Sequence, residues 1–228
     1  MRFLRALLCC AVTAVMLFSA CDQSITAHTG TLESGLHGVR IAIDPGHGGI
    51  DKGAAGTDTG VTEAEINLEI SQLLAKRFML EGCDVLMTRK SVDVDYSGEG
   101  NTRKRRDMNN RARLVKAQNP QVLVSIHLNK YPSRRVSGAQ VFFQKGSEEG
   151  EKLAGFIQQA LNDGLDARDR IAKSGDYFML KVHDCPSVIV ECGFLSNHNE
   201  EKKLLEPKYR EKIAASIYQG IRAYLGLE

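Results

Sequence analysis

From Val39 onward the chain alternates between two hydrophobic periods. Unbroken apolar runs at Val39–Asp44, Cys83–Met87, Val122–His127, Ala139–Phe143 and Ser187–Glu191 predict strands covered on both faces. Between them, Glu63–Leu80 (with Ile66, Ile70, Leu73, Leu74 and Phe78), Met108–Gln118, Glu148–Leu161 and Tyr209–Leu225 carry a single apolar stripe and predict helices. Gly82 and Asn119-Pro120 supply stop signals for the first two helices. This alternation predicts one α/β domain over residues 37–228, with a central, mostly parallel sheet and helices on both faces. In such sheets functional groups gather where strand ends meet loops. Three strands end on chemistry-bearing residues here: Asp44-Pro-Gly-His47, His127 and Glu191.

The pattern breaks at the N-terminus. Met1–Arg5 is basic, Ala6–Phe18 is uncharged and apolar, and Ser19-Ala20-Cys21 follows, which reads as an export signal over residues 1–21. The run falls short of the roughly 18 residues of a spanning helix. Phe18-Ser-Ala-Cys21 also resembles a lipobox, with cleavage before Cys21 and acylation of that cysteine. Lipoprotein, uncleaved anchor and simple secretion all remain open, in that order. Residues 22–36 are small and polar and read as a tether. The expected location is the outer face of the cytoplasmic membrane, with membrane contact through the N-terminus only.

Composition narrows the function classes. At 43% hydrophobic and 25% charged, the 228 residues exclude a disordered or collagen-like chain. Thirty Lys+Arg against 28 Asp+Glu give +2, too balanced to indicate nucleic-acid binding. Of six cysteines, three lie in the export segment, leaving Cys83, Cys185 and Cys192. An odd number argues against a disulfide scaffold and favours small buried hydrophobes over a bridge or a zinc-thiolate site.

The turn Asp44-Pro-Gly-His-Gly-Gly49 places an imidazole in backbone stripped of neighbouring side chains, open to a ligand. Taken singly, His47, His127 and Glu191 each have an ordinary structural explanation. Together, two imidazoles and carboxylates at strand ends match a catalytic Zn²⁺, which needs about three N/O ligands and one open position. Glu63 or Glu65, opening the helix after the His47 turn, supplies the third ligand. Thr62 and Glu65 also have capping-box spacing, the competing role for Glu65.

Four ordered motifs carry a resemblance: Ile43-Asp-Pro-Gly-His-Gly-Gly49, Thr62-Glu-Ala-Glu-Ile-Asn-Leu68, Val124-Ser-Ile-His-Leu-Asn129 and Val190-Glu-Cys-Gly-Phe-Leu-Ser-Asn197. They resemble the zinc-dependent N-acetylmuramoyl-L-alanine amidases of bacterial cell walls, from about Val39 to Leu225. The resemblance implies a mixed sheet of about six strands with flanking helices, one Zn²⁺ held by His47, Glu63 and His127, and Glu191 as the catalytic glutamate. Ala64 stands where relatives commonly have lysine, which keeps Glu65 in contention. The single-domain layout, with Ser137–Phe143 and Ala214–Gly220, is similar to the sporulation branch of that family, the CwlD type. That branch implies a role in forming muramic-δ-lactam of spore cortex, a forespore-facing location, an activating lipoprotein partner and a downstream deacetylase. The implied substrate is the peptidoglycan glycan strand with its stem peptide.

Other residues carry narrower expectations. Asp44 either orients the His47 imidazole or simply forms the turn. Arg111 is expected in a surface ion pair rather than on a substrate carboxylate, and Arg103–Arg106 on a solvated face. A non-catalytic wall-binding or partner-docking module on the same fold is the alternative to an enzyme. Another zinc peptidase is disfavoured because His-Glu-x-x-His is absent.

Overall fold

The computed structural model describes residues 35–227. The export signal, the lipobox and nearly all of the tether lie outside them. Among the described residues no helix is long and apolar enough to cross a membrane.

Six strands form one mixed sheet in the order β2-β1-β3-β6-β4-β5: β1 Arg40–Pro45, β2 Asp84–Met87, β3 Val122–Asn129, β4 Gln140–Gln144, β5 Lys173–Gly175 and β6 Ser187–Phe194. β2, β1, β3 and β6 run parallel, β4 is antiparallel to β6, and β5 is parallel to β4. The helices are α1 Glu63–Leu80, α2 Arg103–Gln118, α3 Glu148–Gly164, α4 His198–Leu204 and α5 Pro207–Tyr224, with a short 3₁₀ turn at Phe178–Lys181.

The central strands are buried on both sides, as their unbroken apolar runs require. Ile41, Ile43, Val122, Val124 and Ile126 point into the larger core with the apolar stripes of α1, α3 and α5. Ala42 and Leu123 point the other way, into a smaller cluster with Ala112 and Val115 of α2 and with Met179. Helices thus cover both faces, but unequally. The segment around the 3₁₀ turn packs beside β6 and β4.

Several boundaries move from the sequence expectation. Leu36, the expected last residue of the tether, is fully buried in the larger core. α2 begins at Arg103 rather than Met108 because Thr102 caps it, accepting from the Arg105 N–H at 3.1 Å. Asn197 caps the unforeseen α4 through the N–H groups of Asn199 and Glu200. Cys83, Cys185 and Cys192 are all free, and burial pushes each thiol up, so neither a bridge nor a thiolate site forms among them.

Candidate active site

The turn after β1 is built under strain. His47 has φ 61°, a left-handed conformation costing a non-glycine residue about 1–3 kcal/mol. Two buried arginines hold it there. Arg111 donates to the Pro45 carbonyl at 2.6 Å and to the His47 carbonyl at 2.6 Å. Arg89, just past β2, donates to Pro45 at 2.9 Å, Gly46 at 2.9 Å and Ala64 at 2.7 Å. These bonds satisfy carbonyls that the turn removes from the sheet ladder.

Arg111 therefore corrects the expectation of a surface ion pair. Only 2% of it is exposed, and it pairs with Asp44 at 2.9 Å and Asp107 at 2.8 Å. Burial opposes its charge, yet the two carboxylates raise its pKa above the ordinary value. Asp44 does not touch the His47 ring; it accepts from Thr88, Ser125 and Arg111. The residue that meets the imidazole is Asp51, 2.9 Å from Nδ1, and Asp51 is in turn held by Lys104 at 2.8 Å. Lys104 stays on the solvated face expected for the Arg103–Arg106 run, and reaches Asp51 from there. The Asp51 carboxylate lies against Nδ1 while Nε2 faces Glu63, so Nε2 is the nitrogen turned toward the cluster.

Glu63 is the first residue of α1 and is buried. Its Oε1 lies 3.2 Å from His47 Nε2 and 3.0 Å from His127 Nδ1. Oε2 accepts the Ala54 N–H at 2.8 Å, and Oε1 also accepts the Leu128 N–H at 3.1 Å. Burial alone would raise this carboxyl, but hydrogen bonds and charge from His127 and His47 hold it well below the usual range. Glu65 turns away: its carboxylate accepts from the N–H and the hydroxyl of Thr62 at 3.0 and 2.6 Å. The capping box removes Glu65 from contention.

The structure thus brings His47, Glu63 and His127 together, with candidate ligand atoms all within 4.8 Å of one another. Two imidazole nitrogens and an ionised carboxylate are the N/O donor set that Zn²⁺ accepts with a position left open, so these residues fit a metal. Glu191 stands beside them, in register with His127 across β3 and β6. Its Oε2 is buried with no hydrogen-bond partner among the described residues. Burial pushes the carboxyl up to about 7. A carboxyl of that kind takes up and releases a proton near neutrality, as a general acid–base group must. The pocket over the cluster, about 180 Å³, is lined by His47, Asp51, Lys104, His127, Tyr177 and Phe178.

Against this geometry, residues 41–223 match the family of N-acetylmuramoyl-L-alanine amidases, Amidase_3. The chain belongs to that family. It is an N-acetylmuramoyl-L-alanine amidase acting on peptidoglycan, with a His-Glu-His metal site. The chain is 40% identical over 195 residues to the germination-specific N-acetylmuramoyl-L-alanine amidase of Bacillus subtilis, covering 83% of this chain and 81% of that one. Among solved structures, the CwlD amidase of Clostridioides difficile, in complex with the GerS lipoprotein, matches with TM-score 0.79 and 37% identity, over 83% of this chain and all of that one. An N-acetylmuramoyl-L-alanine amidase from Clostridium difficile 630 matches with TM-score 0.75 and 30% identity, over 83% of this chain and 98% of that one. The non-catalytic module is thereby set aside.

In the amidase site, Gly46 leaves the room that the His127 ring occupies. A Cβ at Gly46 would lie 2.3 Å from His127 Cε1. Gly46→Ala is therefore expected to displace the ring and weaken metal binding by about 10–100-fold, the usual scale for disturbing a ligand's support. Metal titration checks this, with circular dichroism to confirm the fold; unchanged affinity refutes the role given to this close approach.

Proposed function

We propose that this amidase is a zinc enzyme of spore-cortex maturation that removes stem peptides from muramic acid, the step that muramic-δ-lactam formation requires. The observation that carries the catalytic part is Glu191 in register with His127 beside the His47-Glu63-His127 cluster. His47, Glu63 and His127 hold the ion, and Glu191 is the catalytic glutamate. Bound Zn²⁺ supplies a Lewis acid that polarises the amide carbonyl and makes water more acidic. Glu191 takes the proton of the attacking water and returns it to the departing L-alanine nitrogen, so that one side chain serves both halves of the reaction. Asp51 keeps His47 in one tautomer, and Arg89 and Arg111 keep its turn in place.

The cortex role is supported by the likeness to the germination-specific amidase, which spans most of both chains. The C. difficile complex supports a lipoprotein partner for this chain. A deacetylase acting on the product follows from the δ-lactam role. The chain is placed at the outer face of the cytoplasmic membrane, facing the forespore wall, through its N-terminal signal, lipobox or anchor.

Mass spectrometry of peptidoglycan digested by the zinc-loaded chain is expected to find intact stem peptides beginning with L-alanine; cuts inside the stem peptide would overturn the reaction assigned. Spores lacking the protein are expected to lack muramic-δ-lactam, and a normal δ-lactam content removes the cortex role.

A further inference from the structure

A second and larger hollow, about 790 Å³, opens on the same sheet next to the metal cluster. The two are built on neighbouring strands of the sheet. Gln140, on its wall, pairs in register with Glu191, and Asn129 lies two residues beyond His127 on β3. Phe142, also on its wall, packs edge-on against Tyr177 of the catalytic pocket, with ring centroids 5.5 Å apart.

The charge of the hollow departs from the near-neutral chain. Arg168, Arg170 and Lys173 line it against one acid, Asp169. Among the described residues, neither Arg168 nor Lys173 has an ion-pair partner within 4.0 Å. Arg170 lies over the Phe194 ring at 5.2 Å and donates to the Ser137 carbonyl through Nε at 2.8 Å and through Nη2. It is braced there without a carboxylate of its own. Adjacent strands lie about 4.8 Å apart and successive residues about 3.3 Å, so Lys173, which pairs through Phe142 with Ile189, is about 12 Å from Glu191, two residues farther along β6.

We infer that this hollow is the stem-peptide side of the substrate groove, where Arg168 and Lys173 bind a peptide carboxylate one or two residues beyond the scissile amide. The inference rests on the amidase reading and assigns the two sides of its site. An N-acetylated glycan strand offers no charge for three cations, whereas the stem peptide carries free carboxylates at about this distance. The apolar floor of Phe142 and Phe194 takes the peptide's aliphatic parts, while Gln140 and Asn162 on the wall are tied by hydrogen bonds to Ile171 and Arg170 and hold the basic segment in place.

The test uses the full, zinc-loaded chain on two substrates: glycan strands with native stem peptides, and the same strands with carboxylates converted to amides by carbodiimide and ammonia. The wild type is expected to favour the native strands by about five- to tenfold in kcat/KM, the scale of one charge-assisted contact. Arg168→Gln with Lys173→Gln is expected to remove that preference by raising KM on native strands, with kcat and the rate on amidated strands unchanged. Both side chains are exposed and unpaired, so the double variant should fold, and a thermal melt verifies it. Equal wild-type rates on the two substrates overturn the inference and leave the amidase intact, as does a variant that slows both substrates equally. A variant whose only defect is loss of stimulation by a lipoprotein partner reassigns the cations to a protein interface. No cleavage of either substrate by the wild type, with the lipoprotein partner present as well as without it, removes the amidase reading and this one with it.

Discussion

Glu191→Gln is expected to lower kcat by about 10²–10⁴-fold, the usual worth of a positioned general acid–base group. Glutamine fills the same space but neither accepts the water proton nor returns one to the leaving amine. Glu191 lies outside the His47-Glu63-His127 cluster, so metal content should stay at the wild-type level and KM should change little. Metal analysis and steady-state kinetics on one preparation separate the two effects. A variant that retains its rate sinks the assignment; one that loses its metal makes Glu191 a ligand rather than a shuttle.

The second large effect belongs to Arg111. Arg111→Met leaves Asp44 buried at 1% exposure without its cation, and breaking a buried pair of this kind costs about 3–5 kcal/mol. The loss should depend on pH. Burial would raise the Asp44 carboxyl, but Arg111, Ser125 and Thr88 hold it below its ordinary 3.8. A depressed carboxyl stabilises the fold fully above its unfolded pKa and ceases to do so as pH falls through the folded one. The deficit of the variant is therefore full at about pH 7 and narrows below about pH 4, as Asp44 takes a proton. Denaturant midpoints at the two pH values check this, and equal midpoints for variant and wild type at neutral pH would refute the clamp. Because Arg111 also holds the His47 carbonyl, the variant should lose metal affinity, which an ion pair unconnected to the site would leave unchanged.

The contrast between Arg111 and Glu63 shows what could be read from residues alone. Glu63 opens a helix whose stripe, Ile66, Ile70, Leu74 and Phe78, is so regular that its observed bounds match the expected ones. The direction of its first turn followed from Thr62 and Glu65, whose capping box swings one glutamate out and leaves the other facing the strands. The stripe of α2 is shorter and begins only at Met108. Arg103, Lys104, Arg105 and Arg106 open the helix, and Met108, Ala112 and Val115 are the apolar residues that reach the small core from its length, so hydrophobic periodicity placed its start five residues late and left Arg111 on the surface. The available signal was Asp107, one helical turn before Arg111. Asp51, four residues past His47, was the corresponding local signal for the imidazole's partner. Arg89 offered none: three of its four carbonyl partners, Pro45, Gly46 and Ala64, come from two separate segments that only the fold brings together. β5 and α4 escaped for a simpler reason, since three exposed or half-exposed residues and a seven-residue polar helix leave no hydrophobic period to detect.

His47 stands on a strained turn, Glu63 on a helix terminus and His127 on a central strand. These are three pieces of chain with different intrinsic persistence, and an ion gripped by all of them works as a fastener between them. The turn is the weakest of the three, so it governs how readily the fastener opens. Arg89 and Arg111 clamp the turn from its backbone side, and the low exposure of both keeps water from competing for those carbonyls. Removing the ion with a chelator is therefore expected to leave the circular dichroism of the fold unchanged and to be reversible on adding metal back. A receptor already shaped for the ion means that loading requires no rearrangement of the sheet.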